Sequence, residues 1–304
     1  MTTANSHLSN GFLSLSVAPL GAEMQYLRSR DGADYLWNGD GAYWTGRAPV
    51  LFPIVGRAPG DVIATGDTQA SMKLAPMKLA PMKLAPMKQH GFARRSVFAL
   101  VEQTDIMCHH VLHASDETRA VYPFDFALHV IHRLMGHTVL CEARVENNGV
   151  APMPFGFGFH PAFRWPLPGA ADRGHVVALA GGGNPDRCAL RDGLVDPAPL
   201  PGPFTDGRLD IAEPLFENDA LVFPNGSDAL RYGPPEGPGL SFTFHNLPDL
   251  ALWKPRGAPF LCIEPWHGTA ARITDGPQIA DRPNSVMLAP GEAVDFGYSV
   301  TVEP

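Results

Sequence analysis

The chemistry this sequence can offer is concentrated in five residues: Glu264, His160, His90, Arg57 and Asp219. Glu264 follows the apolar run Phe260, Leu261, Cys262, Ile263 within PFLCIEPWHG (259–268), and Pro265 and Trp266 come next. Pro265 has no N–H to give to a sheet ladder, so a strand over 260–263 is expected to stop there, with Glu264 at its end. A carboxylate placed where a buried strand opens beside an indole is partly desolvated. Desolvation raises its pKa and makes it a better base toward a polar ligand. Taken alone it is equally a solvated strand-end Glu, the ordinary place for an acidic residue. His160 lies in the Gly-spaced apolar stretch MPFGFGFHPAF (153–163). Alternation puts Phe155, Phe157 and Phe159 on one face and His160 on the other with Gly156 and Gly158, where room for a ligand is expected. A lone histidine on such a strand is more often a hydrogen-bonded core residue. His90 heads HGFARR, a loop histidine by itself. Arg57 ends PIVGR and can fork onto hydroxyls, a carboxylate or a phosphate. Asp219 in FENDALVF has the ordinary reading of a turn or strand-end residue.

The elements that must position these groups read as strands. Residues 13–17 alternate Leu13, Leu15, Val17 with serines after an Asn10-Gly11 turn, and 17–28 continue as a second strand with a Gly-permitted bend. Strands are expected over 98–101 and 106–112, a hairpin over 124–134 and 138–147, and strands over 153–163, 215–223, 240–244, 250–253, 285–288 and 293–302. Residues 166–214, rich in Pro, Gly and Asp, read as long loops. Residues 72–88 repeat MKLAP three times and end on MK. A five-residue period with a Pro in each unit fits neither helix nor strand, so a mobile surface loop is expected. Short strands and frequent turn signals, with almost no 3.6-residue periodicity, indicate an all-β sandwich or barrel-like fold. No composition break divides the 304 residues, so one domain over 1–304 is expected.

Composition excludes several functions. A formal net charge of −8 disfavours nucleic acid or an anionic membrane as partner. No stretch of about 18 apolar residues is free of Pro and charge, and the N-terminus has no basic start with an apolar core; a cytoplasmic location is therefore expected. The widely spaced Cys108, Cys141, Cys188 and Cys262 suit reduced thiols rather than disulfides or a zinc site. The run Cys108-His109-His110 with His113 imitates a metal cluster, but a strand divides it between two faces, as it does His129 and His132. There is no GxSxG and no HExxH.

In order along the chain, APVLFPIVGR, QHGFAR, MPFGFGFHPAF, LFENDALVF and PFLCIEPWHG resemble the aldose 1-epimerase (mutarotase) family, in particular the bacterial branch found beside lactose-utilisation genes. The likeness runs from about residue 21 to 302. It implies a large antiparallel β-supersandwich with a sugar in an open cleft. It implies Glu264 as catalytic base and His160 as catalytic acid. His90 and Arg57 become sugar-binding residues, Asp219 a residue that holds sugar hydroxyls, and Trp253 or Trp266 a cover for an apolar sugar face. Anomer interconversion removes the anomeric hydroxyl proton and protonates the ring oxygen, so an ionised Glu and a protonated His suffice, with no cofactor or metal. The expected partner is an aldohexose such as glucose or galactose, and the expected assembly is a monomer or homodimer. Three other readings stand beside it: a mutarotase of hexose 6-phosphates, with Arg57, Arg94 and Arg95 as phosphate ligands; a carbohydrate-binding or sensing protein without turnover; and a metal enzyme using His90, His160 and Glu264.

Overall fold

A computed structural model of the chain describes residues 4–66, 83–171 and 173–303. Two large antiparallel sheets face each other. One has nine strands, in the spatial order Arg208–Asp210, Val176–Leu179, Ala229–Gly233, Leu240–His245, Ala293–Val302, Thr138–Asn147, Phe126–Met135, Met107–His113, Ala99–Gln103. The other has eight, and its spine is Leu221–Phe223, Asp249–Trp253, Phe260–His267 and Phe157–Phe159. Inward side chains of the two sheets interdigitate through aromatic pairs. Phe157 stacks on Phe296 with centroids 4.8 Å apart, Phe159 meets Tyr298 at 4.9 Å, and Phe163 meets Phe242 at 5.1 Å. One buried cluster runs through both sheets and the small N-terminal sheet Ser6–Ser9, Leu13–Ala18, Glu23–Ser29. The all-β supersandwich is therefore the fold, and the hairpin is found as Phe126–Met135 paired with Thr138–Asn147.

Several expected elements differ. The stretch 153–163 is not one strand but three. Met153–Phe155 pairs with Val286–Leu288, while Phe157–Phe159 and Ala162–Arg164 lie end to end along the same side of Phe260–His267. Residues 166–214 are not mainly loop; they contain Val176–Leu179, Arg187–Arg191, Leu194–Leu200 and Arg208–Asp210. Pro197 and Pro199 hid the third of these. It is the edge strand of its sheet, where a missing N–H leaves no neighbour unpaired. The last repeat unit forms a strand, Lys83–Pro86, paired with Val62–Thr65, and it buries Ala85. Its closing Pro also fits an edge. The expectation for 67–82 lies outside the described residues. Residues 215–223 divide into a 3₁₀ turn, Glu213–Phe216, and a strand, Leu221–Phe223. No described helix is long and apolar enough to cross a membrane.

The outer strands of the nine-stranded sheet split their histidines as alternation requires. His109 and His129 meet on the outer face with ring nitrogens 2.8 Å apart, whereas His110 and His132 point into the core. Burial lowers the pKa of His132 from 6.5 to about 3 and that of His110 to about 4. Both are neutral in the fold and gain a proton on unfolding near pH 6.5. Their contribution is complete above that pH and is lost as pH falls toward 4, by about 1.4 kcal/mol per pH unit for each histidine. Urea unfolding from pH 7 to 4 should follow this slope, and His132→Gln should flatten it. An unchanged slope would mean the two histidines do not set the acid limb.

Candidate active site

Glu264 sits inside its strand rather than at the end. Phe260–His267 is hydrogen-bonded on one side to Asp249–Trp253, with Leu250 opposite Pro265 and Ala251 opposite Glu264. On its other side the neighbour is interrupted: Ala162 pairs with Cys262, Gly158 pairs with Trp266, and His160-Pro161 bridges the gap. The Ile263 N–H still reaches the Pro161 carbonyl at 3.1 Å. Residue 265, two positions on, faces the same side, so its missing N–H falls in the break. Pro265 therefore does not stop the ladder; it occupies the one register position where no donor is needed. The same break frees His160 from strand geometry. Its N–H is donated to the Pro49 carbonyl at 3.0 Å, and its ring turns onto Glu264.

His160 Nε2 lies 3.1 Å from Glu264 Oε2, with the two residues 6 % and 1 % exposed. The approach lacks hydrogen-bond geometry, and among the described residues neither Glu264 Oε2 nor His160 Nδ1 has a hydrogen-bond partner. Burial pushes the Glu264 carboxyl well above its usual range; the Asp219 charge adds to this and Arg94 opposes it. Burial, then the Arg94 charge, lowers His160 to about 3. In the ligand-free site the neutral pair is thus favoured, with the proton on Glu264, which is the reverse of an ionised Glu beside a protonated His.

The pair forms part of the lining of a cavity of about 360 Å³, within the range of roughly 300–1,000 Å³ typical of small-molecule sites. Trp44, Trp253 and Trp266 wall it. The Trp44 ring lies 4.9 Å from the His160 ring, and the Trp253 ring 5.7 Å from it. His90 also lines it, in a left-handed turn with φ 65°. The Gly56 N–H donates to His90 Nδ1 at 3.1 Å, which leaves Nε2 as the protonated nitrogen of a neutral ring. Burial first, and then the neighbouring His160, Arg94 and Arg95, hold the His90 pKa well below the usual histidine range. The Gly91 turn admits nothing larger, since an added Cβ would lie 2.1 Å from the Phe52 carbonyl oxygen. Asp219 reaches the cavity from a turn with φ 78°, its own Oδ1 accepting from the Ala220 N–H at 2.8 Å.

Arg57 is not among the lining residues. Its guanidinium forks onto Asp61 at 2.8 and 2.9 Å and donates to the Asp192 carbonyl at 3.2 Å, so its charge is already answered at the rim. Arg94 lines the cavity instead, its pKa lowered to about 10 mainly by burial. The HGFARR motif held that signal, but a pair of adjacent arginines does not say which one turns inward. Trp44 and Gln89 also line the cavity and were not singled out, because a turn tryptophan and a loop glutamine carry no spacing signal. The space expected above Gly158 is filled by Trp266: a Cβ there would lie 2.4 Å from the indole. Glycine is needed so that this wall can seat. Among the described residues the three metal-capable side chains that converge are His160, Cys262 and Glu264, and His90 is not one of them.

The aldose 1-epimerase family model matches residues 6–301. The chain is 28 % identical to protein LacX (plasmid) of Lactococcus lactis subsp. lactis, over 97 % of this chain and 98 % of that one. Its fold superposes on a galactose mutarotase related enzyme from Lactobacillus acidophilus with TM-score 0.88 and 26 % identity, covering 99 % and 98 % of the two chains. A galactose mutarotase-like protein from Lactobacillus casei shares the fold with TM-score 0.85 at 24 % identity, covering 99 % and 100 %.

The seating of Trp266 on Gly158 can be tested by a double-mutant cycle in urea. Gly158→Ala should cost about 1–3 kcal/mol through overpacking. The cost should shrink in a Trp266→Leu background. Equal costs in both backgrounds would show that Trp266 is not what the methyl meets.

Proposed function

The chain belongs to the aldose 1-epimerase family, and from that premise we propose that it interconverts the α and β anomers of a free aldohexose, with Glu264 and His160 moving the protons. The observation that carries this reading is the buried Glu264–His160 contact, 3.1 Å long, in a cavity walled by three indoles. An indole face suits the C–H side of a pyranose, while Asp219, His90 Nε2 and Arg94 offer an acceptor and donors for its hydroxyls.

One proton serves the pair through the whole cycle. With ring sugar bound, Glu264 is the carboxylate and His160 the imidazolium. Glu264 takes the proton from the anomeric hydroxyl, the C1–O5 bond breaks as C1=O1 forms, and His160 gives its proton to O5. The products are an aldehyde, a neutral Glu264 and a neutral His160. Rotation about C1–C2 presents the other carbonyl face, and closure returns each proton by the same path. The open-chain sugar is therefore accompanied by the neutral pair, which is the state that desolvation favours. A dry site in this way pulls the ring-opening step forward. The ionised pair needed at the start draws its support from the polar hydroxyls of the bound ring.

The charges favour an unphosphorylated sugar. Arg94 is the one cationic side chain among the described residues lining the cavity; its acidic neighbours are Glu23 and Glu264, and Arg57 is committed to Asp61. A phosphate dianion would meet Asp219 without a second cation among the described lining residues.

Saturation-transfer NMR on glucose and galactose reads the reaction directly. Wild type should accelerate exchange between the α and β anomeric protons, and Glu264→Gln should lose about 10²–10⁴ of that acceleration while staying folded. A folded wild type that leaves both sugars at their spontaneous rate would overturn the reading. In the same assay the 6-phosphates should be poorer substrates than the free hexoses by more than about tenfold, given the cost of placing like charges together. A preference for the phosphates would reverse the substrate assignment.

A further inference from the structure

Cys262 has no part in the proton transfers, yet it belongs to the same face of the same strand. Residues two apart on a strand point the same way, so Cys262, Glu264 and Trp266 leave Phe260–His267 on one side. Cys262 is fully buried and reduced, packed with Trp37, Ala162, Ala258 and Phe260 directly below the site. One ligand atom each from His160, Cys262 and Glu264 lies within 4.8 Å of the others. His160 Nε2 lies 3.1 Å from Glu264 Oε2, and among the described residues Oε2 is without a hydrogen-bond partner.

An imidazole nitrogen, a thiolate and a carboxylate oxygen are a donor set that a borderline-soft divalent cation prefers. Zinc bonds of about 2.0–2.3 Å set tetrahedral ligands roughly 3.3–3.8 Å apart. Bringing atoms that lie within 4.8 Å of one another to that spacing takes about 1–1.5 Å of side-chain movement, and the cavity that His160 and Glu264 line supplies the fourth position for water. Among the described residues no other group of three such side chains converges in this way; at the outer-face His109–His129 pair Glu146 approaches His129 at 3.7 Å, but the three do not close on one point.

We propose that His160, Cys262 and Glu264 form an inhibitory site for a zinc-like cation, which shuts down the protein by taking both proton carriers as ligands. The metal binds as the thiol and carboxyl release their protons to water, with no redox change. The inhibitory consequence rests on the reading of Glu264 and His160 as the acid–base pair; the binding itself does not. Cys262 then sets metal sensitivity while remaining outside the reaction. Among relatives that keep the pair, an apolar residue in its place should give a metal-tolerant protein.

Two readouts separate the claims. Co²⁺ added to the purified, metal-free protein should produce a thiolate-to-cobalt charge-transfer absorption, which Zn²⁺ displaces. The band should vanish in Cys262→Ala, and Cys262→Ser serves as the second variant should alanine leave a destabilising cavity. A surface histidine pair cannot mimic it, having no sulfur. In the anomer-exchange assay Zn²⁺ should suppress wild-type turnover reversibly, with recovery on chelation. Cys262→Ala or Cys262→Ser should keep basal exchange but need at least about tenfold more Zn²⁺ for the same suppression. Absence of the band in wild type, or its survival in both variants, overturns the proposal. So does equal zinc sensitivity of wild type and both variants. A band that depends on Cys262 in a protein without exchange activity would keep the metal site and sink the mutarotase reading. Exchange without a band would do the opposite.

Discussion

A break in one neighbour strand is the constraint on which the site depends. Along Phe260–His267 the ladder passes from Ala162–Arg164 to Phe157–Phe159, and His160 and Pro161 between them leave a gap that only the Pro161 carbonyl spans, accepting from the Ile263 N–H. The break accommodates Pro265 on the central strand and releases the His160 ring to turn onto Glu264. A continuous neighbour would leave Pro265 facing an unsatisfied carbonyl. The core aromatics Phe157 and Phe159, packed on Phe296 and Tyr298, fix the height of that break between the two sheets.

The far end of the central strand is tied down by a second constraint. Asp249, fully buried, accepts from the Gly268 N–H at 2.9 Å and from Asn284 Nδ2 at 3.0 Å. It also accepts from the Asn225 N–H at 3.3 Å. One carboxylate thus joins three chain segments to the residue that follows the strand. Asp249 lies opposite Trp266, so the same clamp steadies the wall that rests on Gly158. Rigidity here matters because a proton pair works only when its atoms are held near hydrogen-bond reach of the sugar.

Fold class and the main hairpin were legible because two-residue alternation survives in residues that face a core on one side. Legibility failed where local chemistry disagreed with tertiary position. Pro197 and Pro199 look like loop residues until the strand is known to be an edge, and Pro265 looks like a terminator until the gap beside it is known. The glycines of FGFH suggested room for a ligand, and only the fold shows that Trp266 fills the space over Gly158. Glu264, His160, His90, Asp219, Trp253 and Trp266 all meet at one cavity, whereas Arg57 is held outside by Asp61, four residues along. That exchange of Arg57 for Arg94 depends on which way two side chains turn, and no spacing encodes it. The charge state of the pair was likewise hidden, since burial rather than residue type decides it.

The claim that a dry site pulls ring opening forward depends on the buried pair holding its proton on Glu264 when the cavity is free of sugar. Infrared difference spectroscopy between wild type and Glu264→Gln at neutral pH reads this directly. The expected result is a protonated-carboxyl C=O stretch in ligand-free wild type, absent from the variant and diminished as a hexose saturates the site. A Glu264 that shows only carboxylate bands at neutral pH, with the sugar absent, would contradict it.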